Sequence, residues 1–153
     1  MTASDPGAFT VREVSWAAQA PQLRAVRTAV FVREQGIPLE LELDAADAGC
    51  LHVLATARSG EGIGAGRMSP AGVIGRMAVV RPWRGRGVGT ALLEALIARA
   101  YRDGLAEVRL DAQSTVRGFY ARLGFVPAGP VFLKAGIEHV PMRRPLHAGT
   151  DRG

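Results

Sequence analysis

The most chemically pointed stretch of this chain is Met77-Ala-Val-Val-Arg-Pro-Trp-Arg-Gly-Arg-Gly-Val-Gly-Thr-Ala-Leu-Leu93, where a β-branched run meets closely spaced glycines. Glycine lets a backbone turn sharply and approach a ligand closely. When a helix starts directly after such a turn, its first amide groups lack partners and its dipole favours negative charge, so phosphate oxygens bind there. Arg84 and Arg86 place positive charge among Gly85, Gly87 and Gly89. The run Arg84-Gly85-Arg86-Gly87-Val88-Gly89-Thr90 therefore predicts a diphosphate site, or else a turn whose glycines only cap a helix. Two common nucleotide motifs are excluded. The nucleotide phosphate loop ends in Gly-Lys-Ser/Thr, whereas Thr90 follows Gly89 here with no lysine. The dinucleotide fingerprint Gly-x-Gly-x-x-Gly fails because Gly85, Gly87 and Gly89 are one residue out of register.

The elements that must position this turn follow from periodicity. Phe9–Val14 alternates as a strand. Pro21 can open a helix on which Leu23, Val26, Arg27, Val30, Phe31 and Glu34 share helical spacing up to Gly36. Residues 37–49 hold Pro38 and four carboxylates and read as a loop. Strands are expected over 51–58, 63–68 and 73–80, separated by turns. From Val88 to Tyr101 the period changes: apolar residues at 88, 92, 93, 96, 97 and 100 form a helix face, stopped at Asp103-Gly104. A strand over 106–112, a helix over 115–123 ended by Gly124, and strands from Phe125 and over 137–143 complete the order. The result is a mixed α/β (α+β) fold, with a mainly antiparallel first half and a crossover second half. The ordered core is expected over about residues 9–145, with tails at 1–8 and 146–153, as a single domain.

Arg84-x-x-Gly87-x-Gly89 resembles the acyl-CoA pyrophosphate loop of the GNAT N-acetyltransferases. Downstream, Leu110-Asp-Ala-Gln113 and then Phe119-Tyr120-x-x-Leu123-Gly124-Phe125 resemble the second signature of that superfamily. Upstream, Val26-Arg-x-x-Val-Phe-Val-Arg-Glu-Gln-Gly-Ile-Pro38, Glu42-x-Asp44-x-x-Asp47, Cys50-x-His52 and Gly136-Ile-x-His-x-x-Met142 resemble the ElaA/YjcF-like subgroup. The resemblance implies helices flanking a mainly antiparallel sheet whose central strands splay apart. It implies transfer of an acetyl group from acetyl-CoA by direct attack of a primary amine, on a small molecule or a peptide. The pantetheine arm would lie along Met77, Ala78 and Val79, with a backbone N–H near Val79 polarising the thioester carbonyl. The pyrophosphate would sit on Arg84 to Thr90, and Gln113 counts among the cofactor-binding residues. Tyr120 would return a proton to the leaving thiolate, or else it is a core residue beside Phe119 and Leu123.

An attacking amine must also lose a proton. Glu42 in the acidic loop, or His139, is a candidate acceptor. Glu34, Asp44, Asp47 and His52 are candidate acceptor-substrate ligands. Each has a plainer alternative: a solvated turn or ion pair for the carboxylates, a hydrogen-bonded structural side chain for the histidines. A zinc site of Cys50, His52 and His139 lacks a fourth ligand, so no metal is expected. Cys50 has no assured base beside it to make it a nucleophile.

Composition is ordinary for a globular protein. The 153 residues are 48% hydrophobic and 22% charged, enough to bury a core in one domain. No apolar run approaches the ~20 residues that span a bilayer, and the N-terminus lacks the pattern of a secretory signal. With Cys50 as the one cysteine, an internal disulfide is excluded, and the cytoplasm is the default location. The net charge of +5 is spread as scattered arginines rather than as a patch, so no nucleic-acid or membrane partner is expected. A homodimer is left open. Two other functions compete: an acyl-homoserine-lactone-synthase-like acyltransferase, suggested by Arg27, Phe31, Glu42, Asp44 and Asp47, and a non-catalytic acyl-CoA sensor.

Overall fold

A computed structural model describes residues 7–146. The expected tails at 1–6 and 147–153 lie outside the described residues. The first strand, β1 (Phe9–Val14), leads into α1 (Trp16–Arg27). This helix starts five residues before Pro21, because the Ser15 hydroxyl accepts the Ala18 N–H at 3.1 Å and caps it there. Pro21 is carried inside the helix, where it forgoes one backbone bond. After Arg27 the coil widens into a π-helix over Thr28–Glu34, with Gln35 N–H bonded to Val30 C=O at 3.0 Å. Gly36, at φ +74°, ends it. Residues 37–49 are not a plain loop: they contain the short α2 (Leu39–Glu42) and a 3-10 turn (Ala45–Gly49).

Strands β2 (Leu51–Ala57), β3 (Gly62–Met68) and β4 (Ile74–Val79) add to β1 as an antiparallel sheet in the order β1-β2-β3-β4. Strand β4 is irregular. Its pairing with β3 shifts between Ala65 and Arg67, and Arg76 sits at φ +52°. A second sheet holds β5 (Glu107–Gln113), β6 (Val126–Pro127), β7 (Phe132–Lys134) and β8 (Ile137–Pro145), with β8 between β5 and β6 and also paired to β7. The crossover from β4 to β5 is α3 (Val88–Arg102), and the short α4 (Arg117–Arg122) follows β5.

Two apolar layers hold the sheets. On one face of the first sheet, Leu23, Val26, Val30 and Phe31 of the first helix pack on Leu54, Ala65 and Ala78. On the other, Val88, Leu92, Leu93, Leu96 and Ala100 of α3 pack on Val53, Ala55 and Ile63, and also on Val108, Leu110, Ala112, Val140 and Met142 of the second sheet. One helix thus joins both sheets, so the splay between them costs no core continuity. Leu146, expected in the tail, belongs to this core: it is buried, and its N–H donates to Ala106 C=O at 2.8 Å.

Candidate active site

Strands β4 and β5 begin together and then part. A parallel bridge joins Val73 to Arg109, and Arg109 N–H donates to Gly72 C=O at 2.9 Å. Beyond it the two strands belong to different sheets, so their C-terminal ends, Val79 and Gln113, form the lips of a V. Val80 N–H donates to Ile63 C=O at 3.0 Å. Strand alternation then turns the N–H and C=O of Val79 away from β3, toward the opening. The Arg84 guanidinium donates to that Val79 carbonyl at 2.9 Å. On the opposite lip, the Ser114 hydroxyl is buried without a hydrogen-bond partner.

The glycine turn lies at the end of β4. Gly87, at φ +86°, is the residue before α3, a conformation that disfavours any side chain. No side chain caps α3, so the amides of Val88, Gly89 and Thr90 remain available, while Ala91 N–H is already bonded to Gly87 C=O at 3.0 Å. A Cβ on Gly89 would stand 3.4 Å from Phe119 and 3.8 Å from Val79, so the first turn of α3, helix α4 and the β4 lip meet here. Arg86 stacks over Trp83, 4.9 Å from the ring centre.

Tyr120 stands on α4, edge-on to Phe119 and Phe125. It is 8% exposed, and its hydroxyl has no hydrogen-bond partner among the described residues. Burial pushes its pKa up to about 12, so the phenol holds its proton at neutral pH.

Across the opening, the end of the π-helix reaches both lips. Glu34 holds Arg84 with two bonds of 2.6 and 2.7 Å and pairs with Arg81 at 3.2 Å. The Arg84 bonds, partly offset by desolvation, hold the Glu34 carboxyl below its usual range. Gln35 and Gln113 exchange two amide hydrogen bonds, 3.0 and 3.3 Å. In the second sheet Gln113 pairs with His139, which pairs with Phe132. Cross-strand partners share a face, so Gln113, His139 and Phe132 form one row. His139 donates its Nδ1–H to Ile137 C=O at 2.7 Å and stacks on Phe132. A neutral imidazole held this way keeps its lone pair on Nε2. A pocket between the π-helix and the turn after β4 is lined by Val30, Arg33, Glu34 and Arg81.

Residues 19–146 match the acetyltransferase (GNAT) domain. The chain belongs to the GNAT acetyltransferase family. Its uncharacterized N-acetyltransferase relative YjcF of Bacillus subtilis (strain 168) is 35% identical over 124 residues, 78% of this chain and 87% of that protein. An acyl-CoA N-acyltransferase from Pseudomonas aeruginosa has the same fold at a TM-score of 0.80 and 32% identity, covering 90% of this chain and 99% of the other. Escherichia coli ElaA does so at 0.79 and 27%, covering 90% and 99%. The chain is accordingly an acyltransferase, and its mixed sheet with parted strands is the GNAT fold.

Within this GNAT chain the acidic loop has another place than the one expected from sequence. Glu42 and Asp47 turn inward, 2% and 3% exposed, onto an equally buried Arg27. Arg27 donates to Glu42 at 2.5 Å and to both Asp47 oxygens at 2.8 and 3.1 Å. Arg67 bridges Asp44 and Asp47 at 2.8 and 2.7 Å. Arg76 reaches Asp44 at 3.1 Å and the Glu42 carbonyl at 3.0 Å. The Arg67 hydrogen bonds, working against desolvation, hold the Asp44 carboxyl down at about 2. Burial opposes the charge of Asp47, but Arg27 and Arg67 outweigh it and keep its pKa low. His52 donates Nε2–H to Asp47 C=O at 2.8 Å and packs on Trp16; burial lowers its pKa, so it stays neutral. The readings of Glu42 as proton acceptor, and of Asp44, Asp47 and His52 as ligands of an acceptor, are therefore given up: all four are bound within the protein. Glu34 does stand at the mouth, but its carboxylate is already paired with Arg84 and Arg81.

Sequence reasoning missed Gln35, Arg67, Arg76 and Ser114. Arg67 and Arg76 carried a signal, since each interrupts an otherwise apolar strand. Burial raises the Cys50 thiol, which disfavours a thiolate there. Among the described residues, no group of three or more His, Cys, Asp or Glu side chains is placed to hold a metal, and no helix is long and apolar enough to cross a membrane.

Proposed function

We propose that this chain is an acetyl-CoA-dependent N-acetyltransferase acting on a primary amine, as a single cytoplasmic domain. The observation that carries the reading is the V between Val79 and Gln113, which opens beside the uncapped start of α3. A thin, amide-bearing chain ending in a diphosphate suits that shape. Its amides can pair with the Val79 N–H and the orphaned Ser114 hydroxyl, and its phosphates with the amides of Val88 to Thr90. Met77, Ala78 and Val79 form one wall, Gln113 the other, and Arg84 and Arg86 add charge at Gly85, Gly87 and Gly89. When bound, the donor supplies an activated acyl carbon.

The protein's own groups then divide the work by face. Gln113 and His139 look toward the first helix, whereas Leu110 and Ala112 look toward the core of α3 and α4 that contains Tyr120. The amine nitrogen attacks the thioester carbonyl carbon from the His139 side, while the Val79 N–H stabilises the oxygen as it gains charge. The carbon–sulfur bond breaks, the thiolate takes the Tyr120 proton, and the proton lost by the amine passes to His139 Nε2. His139 fits the base better than Glu42, because its Nε2 lone pair is left open while Glu42 is bound to Arg27.

The test is thermal unfolding with acetyl-CoA, then a panel of amines read by free-thiol release. A ligand that binds the native state stabilises it by about 2.7 kcal/mol at a hundredfold excess over Kd. Stabilisation by acetyl-CoA, with thiol release that His139→Gln lowers in kcat, is the expected result. No stabilisation at millimolar acetyl-CoA would overturn the reading.

A further inference from the structure

The π-helix places two consecutive side chains on opposite lips of the V. Glu34 grips Arg84, which grips the Val79 carbonyl, and Gln35 grips Gln113. A regular α-helix closes i to i−4, whereas Gln35 N–H closes onto Val30, five residues back. Such widened turns are uncommon and gather at functional sites. The Gln35–Gln113 pair is also unusual in kind. Each of the two neutral amides both donates to and accepts from the other at a half-buried place, and the bonds join residues 78 apart in the chain.

We infer that Gln35 is a positioning residue of the transfer site. By holding the Gln113 amide in one orientation, beside His139, it fixes the width of the opening and the face that the β5 lip presents to the acyl donor. This rests on the proposed acetyl-CoA function. Gln35 acts through Gln113, so a protein without it folds but grips the donor less well. Glu34 anchors the other lip, and the two residues together form a tie across the mouth.

Three variants and a binding measurement test this. Acetyl-CoA affinity is measured by calorimetry on wild type, Gln35→Ala, Gln113→Ala and the double variant, with steady-state KM and kcat where an amine substrate is in hand. Each single variant is expected to weaken acetyl-CoA binding about tenfold, with a smaller change in kcat. The double variant is expected to be no worse than either single one, since both remove the same tie. Gln35→Glu separates positioning from packing. Its carboxylate can accept from the Gln113 amide but cannot donate to the Gln113 oxygen until it is protonated. Affinity in that variant should therefore improve as pH falls through the carboxylate range, which wild type does not do. Gln35→Ala with wild-type affinity, additive losses in the double variant, or a pH-independent Gln35→Glu would overturn the inference alone. A wild-type protein that does not bind acetyl-CoA would overturn it together with the proposed function. Should Gln35→Ala fail to fold, Gln35→Glu and Gln113→Ala still decide between the outcomes.

Discussion

Replacing Arg27 by methionine removes the centre of the ion network while keeping similar volume. Arg27 is 1% exposed and makes four hydrogen bonds: three to Glu42 and Asp47 carboxylate oxygens, and a longer one of 3.4 Å to the Glu42 carbonyl. Arg27→Met strands two buried carboxylates, and breaking a buried pair from one side costs about 3–5 kcal/mol. Arg67 and Arg76 still touch Asp47 and Glu42, which places the expected loss near the lower end, about 3 kcal/mol. With a urea m-value of about 2 kcal/mol/M, the unfolding midpoint should fall by about 1.5 M. The pH dependence adds a second, independent sign. In wild type the Asp47 pKa lies below its unfolded value, so its stabilisation is complete above about pH 4 and disappears as pH falls through the depressed pKa. In Arg27→Met the carboxylate's burial is less opposed by positive charge, so acid relieves it. The gap between variant and wild type should therefore shrink from pH 7 toward pH 3. Urea titrations monitored by tryptophan fluorescence at both pH values measure this. A loss under about 1 kcal/mol at neutral pH, or a gap that does not change with pH, would refute the reasoning.

Other perturbations follow from the site and the core. Tyr120→Phe should keep acetyl-CoA stabilisation while lowering kcat by about 10²–10⁴-fold, because only the donated proton is lost; an unchanged kcat would remove Tyr120 from the chemistry. Gly87→Ala puts a side chain at φ +86°, at a cost of about 1–2 kcal/mol, and should abolish most of the stabilisation by acetyl-CoA in a thermal shift assay. Gly64→Ala adds a Cβ 2.9 Å from both Leu92 and Val88, where α3 crosses β3. Overpacking there should destabilise by about 1–3 kcal/mol, which thermal unfolding reads as a Tm lower by several degrees.

The parts of this protein visible in its sequence are those whose cause is local. The α3 face repeats every three to four residues, the glycine turn precedes it directly, and Phe119 to Phe125 occupy one stripe and its cap, so all could be placed from spacing alone. The start of α1 was misplaced because Pro21 is the louder signal, yet the Ser15 hydroxyl six residues earlier holds the end. Residues 37–49 read as solvated because four carboxylates in so short a stretch normally are. Their partners are Arg27, Arg67 and Arg76, which approach only when α1, β3 and β4 pack, and no spacing rule connects Asp47 with an arginine 20 residues away. The Gln35–Gln113 pair was hidden for the same reason, reinforced by the π-helix, which shifts Gln35 from where a regular helix would put it.

The parting of β4 and β5 amounts to a sheet with an edge in its interior. Edges are usually at the periphery, where charge, proline or a bulge keeps other chains from pairing with them. Here the peptide edge at Val79 faces a gap bounded by a second strand instead of open solvent. Arg84 covers the Val79 carbonyl, and the tie from Glu34 and Gln35 spans the gap. A variant whose lips drift apart would uncover two facing rows of unpaired amides and carbonyls, so loosening the mouth should show itself in self-association as well as in weaker ligand binding.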